Sequence, residues 1–160
     1  MHLVIWLALA VVAVLLAARF GAFAGRMPAD LGVRDGRLKA PARTPNSVTS
    51  QADLWPDAPQ KDYARIAPLP LQGDAKTTIA RIAAVVEDLP GARIVERRDD
   101  YLYAQFTTAL MRYVDDVEFW ADPAAGVVQV RSASRLGSKD FGVNRARIES
   151  VRARLVAAGA

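Results

Sequence analysis

The 160 residues carry 21 Lys and Arg against 17 Asp and Glu, one histidine and no cysteine, and 52% of them are hydrophobic. Without cysteine there is no disulfide, thiolate nucleophile or Cys-based zinc site, and with His2 as the only imidazole a catalytic triad, a His-ligated metal or an imidazole base has no place in a folded domain. The formal charge of +4 gathers behind an apolar N-terminus, where Arg19, Arg26, Arg34, Arg37 and Lys39 face only Asp30 and Asp35, so the remainder is near balance and lacks the basic stripe of a nucleic-acid binder.

Leu3 to Ala18 is uninterrupted apolar sequence, resuming from Phe20 to Ala24 after Arg19. A spanning helix needs about 20 residues, which 3–24 supply if Arg19 snorkels to the interface. A cleaved signal peptide ending at Ala22-Phe23-Ala24 is the competing reading; the absence of Lys or Arg before the run and its length favour an uncleaved anchor. Positive charge after the helix favours keeping that side in the cytoplasm.

Residues 25–72 are punctuated by Pro28, Pro41, Pro45, Pro56, Pro59, Pro68 and Pro70, and no period holds. Two pieces look ordered: Thr44 to Gln51, small hydrogen-bonding side chains including Asn46, and Tyr63 to Leu71, a short extended segment. From Asp74, a suitable N-cap, Ile79, Ile82, Val86 and Leu89 fall on one helical face, stopped by Pro90-Gly91. Residues 92–98 and 101–108 read as a hairpin turning at Asp99-Asp100, and 114–120 with 126–132 as a second pair across Asp122 to Gly126. A last helix over 143–157 sets Ile148, Val151 and Leu155 on one face, with Arg145 and Glu149 spaced for an ion pair.

The pattern predicts an α+β fold: an antiparallel sheet of about four strands with two helices on one face, preceded by an N-terminal transmembrane helix and a Pro-rich connector. The parts are an anchor over 1–24, a juxtamembrane linker over 25–40 and a globular domain over 41–160.

The chemistry-bearing residues cluster late in the chain. In a strand, Asp116 and Glu118 share a face, and two carboxylates there can hold a cation or act as acid and base. The competing reading, which we prefer, is that Asp115, Asp116 and Glu118 neutralise Arg131, Arg135 or Arg145; no metal or cofactor is expected. Arg131 and Arg135 share a face with Ala133, while Ser132 and Ser134 point opposite. Those arginines suit either an anion pocket or a paired network. A serine nucleophile would need Lys139 or a carboxylate as its base, which argues against serine catalysis. Gly137 and Gly142 bracket a tight loop containing Asp140, and the helix start at Gly142 to Arg145 could face an anion, with Asn144 as a cap.

Three stretches together, Thr44-Pro45-Asn46-Ser47-Val48-Thr49-Ser50-Gln51, Val114-Asp115-Asp116-Val117-Glu118-Phe119, and Arg131 to Gly137 continuing through Asp140-Phe141-Gly142-Val143-Asn144-Arg145, resemble the uncharacterised domain-of-unknown-function family 1499 over about residues 41–156. The resemblance implies a compact domain of bacteria and plant plastids, often beside membrane segments, with no established activity and no catalytic residues to carry over. It also implies cysteines where Ser47 and Ala42 stand, which rules out a thiol role in this chain. Lumenal plastid members point to the periplasmic side, against the charge rule, and the reading kept here leans that way.

The expected protein is therefore a single-pass protein of the bacterial inner membrane that touches the lipid bilayer. It would act without catalysis by binding or assisting a membrane-protein partner. A domain binding an anionic ligand or lipid headgroup is the alternative, and a hydrolase using Asp115, Asp116 and Glu118 with a metal comes last.

Overall fold

The computed structural model describes residues 2–159. In chain order they form α1 (His2–Arg19), β1 (Ser47–Thr49), a 3-10 turn at Ala52–Leu54, α2 (Lys61–Ala64), β2 (Leu69–Pro70), α3 (Ala75–Glu87), β3 (Ala92–Arg97), β4 (Tyr101–Thr107), β5 (Val114–Asp122), β6 (Val127–Ser134) and α4 (Val143–Gly159). The fold is α+β. The antiparallel sheet runs β1-β6-β5-β4-β3, and β2 lies beside β6 on the β1 side. Six strands replace the expected four because both short ordered pieces of the Pro-rich connector add to β6.

Strand alternation divides the sheet into two faces. Leu102, Ala104 and Phe106, with Val117, Phe119 and Ala121 and with Val128 and Val130, meet α3 and α4 in the main core. Helix α3 begins where Asp74 accepts the N–H of Thr77 at 2.7 Å, and it buries Ile79, Ile82, Ala83 and Val86. The turn after it requires Gly91, whose φ is +76° and whose added Cβ would sit 2.3 Å from the Thr107 carbonyl. Helix α4 contributes Ile148, Val151 and Leu155.

The other face carries Tyr101, Tyr103 and Trp120, and it is not open. Leu38 is buried against the two tyrosines, with Leu31 and Val33 packed beside it. Residues 31–38, within the stretch expected to be linker, thus form a strap over the second face. The strap folds back on itself through reciprocal backbone hydrogen bonds between Arg34 and Arg37, turning at Asp35 (φ 51°) and Gly36 (φ 70°). Two consecutive positive φ values are the hairpin geometry for which Asp-Gly is a preferred pair.

Helix α1 is exposed along its length until Ala18, which is buried. It stops five residues short of the expected 3–24 span. Gly21 (φ 84°) donates to Ala18 and Ala22 donates to Ala17, the pair of bonds that closes a helix on a left-handed glycine. At 18 residues the helix is long and apolar enough to cross a membrane. Its length of about 27 Å is close to a bilayer core of about 30 Å.

Candidate functional site

Strand β5 puts Asp115, Asp116 and Glu118 on two faces. Asp116 and Glu118 point under the strap, while Asp115 points towards α4, so the two neighbouring aspartates cannot share one ligand. Each is buried, and each has its own arginine.

Under the strap, Arg135 grips Asp116 with two bonds, Nε to Oδ2 at 2.9 Å and Nη2 to Oδ1 at 2.7 Å. The Tyr103 hydroxyl donates to the same carboxylate at 2.5 Å. Asp116 raises the Arg135 pKa, which the partial burial of the guanidinium opposes. One register position along, Glu118 Oε1 accepts from the Tyr101 hydroxyl at 2.8 Å and from the Gly32 N–H of the strap at 2.7 Å. Its partner Arg131 lies 3.5 Å from Oε2, in ionic contact but outside hydrogen-bonding geometry. Glu118 Oε2 and Arg131 Nε and Nη1 consequently have no hydrogen-bond partner among the described residues.

Burial opposes the charge on both members of that pair, pushing the Glu118 carboxyl up and Arg131 down, while each partner's charge works against the shift of the other. Burial, helped by the adjacent Glu118 charge, pushes the Tyr101 phenol far above its ordinary range. Burial and the Asp116 hydrogen bond raise Tyr103 as well.

The second cluster fills the corner where β1, the end of β6 and the start of α4 meet. Arg147 donates to Asp115 at 2.6 Å, to Ser132 Oγ at 2.9 Å and to Asn144 Oδ1 at 2.8 Å. Its guanidinium also sits 4.6 Å from the centre of the Phe106 ring. Ser132 donates to Asn144 Oδ1 at 2.6 Å. The Asn144 amide shares its protons among the Asn46 carbonyl, Ser134 Oγ and Asp140 Oδ2, at 3.0, 3.0 and 2.8 Å. Asn46 in turn donates to the Gly137 carbonyl at 2.7 Å, stapling β1 to the loop after β6; its Oδ1 is buried without a partner among the described residues.

Asp140 accepts from the N–H groups of Gly142 and Asn144, both at 3.1 Å, and from the Tyr63 hydroxyl. Burial alone would raise this carboxyl, but the hydrogen bonds from Tyr63, Gly142 and Asn144 outweigh it and hold Asp140 below the ordinary value. The anion expected at the start of the last helix is thus the chain's own Asp140, and capping falls to Asp140 rather than Asn144. Ser132 is fully buried in this cluster with no general base beside it.

Two assignments change. Arg145 does not neutralise a carboxylate and does not pair with Glu149: it donates to the Tyr63 carbonyl at 2.6 Å, and Glu149 pairs with Arg152. The partner of Asp115 is Arg147, two residues further on, which a helical-face argument finds because 144, 147, 148 and 151 lie on the side of α4 facing the sheet. Gly32, Tyr63, Tyr101 and Tyr103 also belong to the clusters, through backbone and phenol groups whose partners no spacing in the sequence marks. Among the described residues no three Asp, Glu, His or Cys side chains come together as a metal site.

Residues 37–155 match the family model described as protein of unknown function (DUF1499). No curated protein and no solved structure matches the chain. The two positions where that resemblance implies cysteines, Ala42 and Ser47, are joined here by a hydrogen bond from the Ala42 N–H to Ser47 Oγ at 2.8 Å.

Proposed function

We propose that this chain, which belongs to the DUF1499 family, is a membrane-anchored, non-enzymatic domain that binds a membrane-protein partner or helps one to assemble. The observation that carries the reading is the fate of the side chains able to do chemistry. Asp115, Asp116 and Glu118 are each committed to a different arginine, and Ser132, Asp140 and Asn144 are committed to holding α4 against β1 and β6. A hydrolytic site needs a carboxylate or hydroxyl free to meet substrate. Here those groups build a rigid scaffold instead, and the exposed apolar surface of α1 supplies the membrane attachment. A single pass through the bacterial inner membrane, with the domain on the periplasmic side, is part of the same proposal.

The test is native mass spectrometry of the full-length protein released gently from its own membrane. A stoichiometric second protein supports the proposal; a bare anchored monomer counts against it.

One observation favours a second reading, an anionic ligand bound away from the charge clusters. An open cavity of about 560 Å³ between the strap and Trp55 is lined by Arg34, Arg37 and Lys39 together with Asp30 and Asp35, of which Asp30 pairs with Lys39, and the buried Trp55 Nε1 has no partner among the described residues. Thermal stabilisation by inorganic phosphate that vanishes in Arg37→Ala would support it.

A further inference from the structure

We infer that the loops β4–β5 (residues 108–113) and β6–α4 (135–142) seat the domain on the lipid bilayer, with Leu110, Tyr113, Leu136, Phe141 and Val143 entering the interfacial layer of the membrane that α1 crosses. The inference rests on the anchor reading above and adds the orientation of the domain.

The topology brings these loops to one end of the sheet, since the start of β5 pairs with the end of β6 at Asp115 and Ser134. That end carries large apolar side chains in water: Leu110 is 69% and Phe141 92% exposed, with Tyr113, Leu136 and Val143 also exposed. The opposite end turns through Asp99-Asp100 and through Asp122 to Gly126, and neither turn carries a large exposed hydrophobe. Contiguous apolar surface concentrated at one end of a small domain marks something that covers it.

The cover is identified by the path of the chain. Helix α1 ends against this same surface. Phe23, just beyond it, packs its ring 5.6 Å from that of Tyr113, and Gly25 approaches so closely that an added Cβ would lie 2.8 Å from Arg135 Cβ and 3.1 Å from Leu136 Cγ. Phe23, Tyr113, Leu136, Phe141 and Val143 line one cavity of about 470 Å³ opening at that level. A membrane crossed by α1 therefore meets these loops first. Arg19, Arg112 and Lys139 accompany the apolar groups, the combination of aromatic belt and cations that suits headgroup depth.

Backbone geometry adds an independent argument. Phe141 has φ +53°, an unfavourable conformation for an aromatic residue, and its ring packs on almost nothing. The strain is held by the bonds that Asp140 accepts on either side of the loop. A strained residue fixed so that a bare phenyl ring projects outward is accounted for by a use for the projecting ring.

The chain has no cysteine, so single cysteines report cleanly. Val11→Cys, Leu110→Cys, Phe141→Cys and Asp99→Cys full-length proteins are labelled with an environment-sensitive fluorophore and reconstituted in vesicles of phosphatidylcholine and phosphatidylglycerol. Doxyl-labelled lipid should quench positions 11, 110 and 141, and aqueous iodide should quench 99 far more strongly than 110 or 141. With the label at 110, Phe141→Asp should lose lipid quenching while thermal melting is unchanged. Lipid quenching at 11 combined with water-like behaviour at 110 and 141 overturns the inference and leaves the anchor standing. Water-like behaviour at 11 as well overturns both. Protection at 110 and 141 in native membranes but not in pure lipid assigns the surface to a protein and also overturns it.

Discussion

Replacing Arg135 by Met tests whether the carboxylate-arginine pairs are structural. Met fills the space of the arginine stem, so the change removes the charge without opening a large cavity. It leaves Asp116, 2% exposed in its side chain, with only the Tyr103 hydroxyl as a partner. Removing one partner of a buried pair destabilises by about 3–5 kcal/mol, and the surviving Tyr103 bond places this case near about 3 kcal/mol. For a chain of this size that corresponds to a fall in Tm of about 6–12 °C. The assay is thermal and urea unfolding of the full-length protein in micelles, followed by near-UV circular dichroism. Adding Asp116→Leu to Arg135→Met should recover much of the loss, because no buried charge is then left alone. If Arg135→Met melts within about 1 kcal/mol of the parent, the pair behaves as an ordinary surface pair and the structural reasoning fails.

The Glu118–Arg131 pair should behave differently, because it already holds three unpartnered atoms. Glu118→Gln combined with Arg131→Met keeps the acceptor for Tyr101 and Gly32, removes both charges and should match or exceed parental stability in urea, whereas Arg131→Met alone should lose about 3–5 kcal/mol. Asp140 sets the acid limb: its folded pKa lies below the unfolded value of about 3.9, so its contribution is present above that pH and is lost as pH falls through the folded value. Asp140→Asn should flatten that limb in unfolding titrations. Glu118 has the opposite sign, its stabilising effect being complete below about pH 4.3 and lost as pH rises through the raised folded value; the double variant should therefore lose that decline. Gly91→Ala should destabilise by at least about 1–3 kcal/mol, since the new Cβ meets the Thr107 carbonyl, and Gly73→Ala, where the space is open, should show only the positive-φ penalty of about 1–2 kcal/mol.

Much of the domain is legible in the sequence because it follows local periodicity. Alternation in Tyr101–Thr107 and the spacing of Ile79, Ile82 and Val86 report faces directly, and the face assignments of Asp116, Glu118, Arg131 and Ser132 follow from counting by two. The strap escapes that logic. Its apolar residues, Leu31, Val33 and Leu38, are too few and too unevenly spaced to show a period, and only Asp35-Gly36 signals a turn there. Pairing across the fold is less legible than the faces of single strands. Arg145 and Arg147 are equivalent by composition, and only their places on α4 tell them apart: 147 lies with 144, 148 and 151 on the side that faces the sheet, and it reaches Asp115. The cap at Asp140 depends on the left-handed turn through Phe141, a conformation that nothing in an aromatic residue's type announces.

The strap also orders the folding of the molecule. β3, β4, β5 and β6 are joined by short turns and can pair from local contacts, but Gly32 meets Glu118 across 86 positions and Asn46 meets Gly137 across 91. Contacts of such long sequence separation close late, because the loop they shut must first be paid for in chain entropy. A segment that precedes the sheet in the chain is therefore completed after it: the strap docks once β5 and β6 have paired. Until then the carboxylate of Glu118 lies open on a bare sheet face, beside tyrosines that have not yet lost their water. Before the strap docks, the charges that later become the least accessible groups in the protein are thus the first that a chaperone or protease would meet.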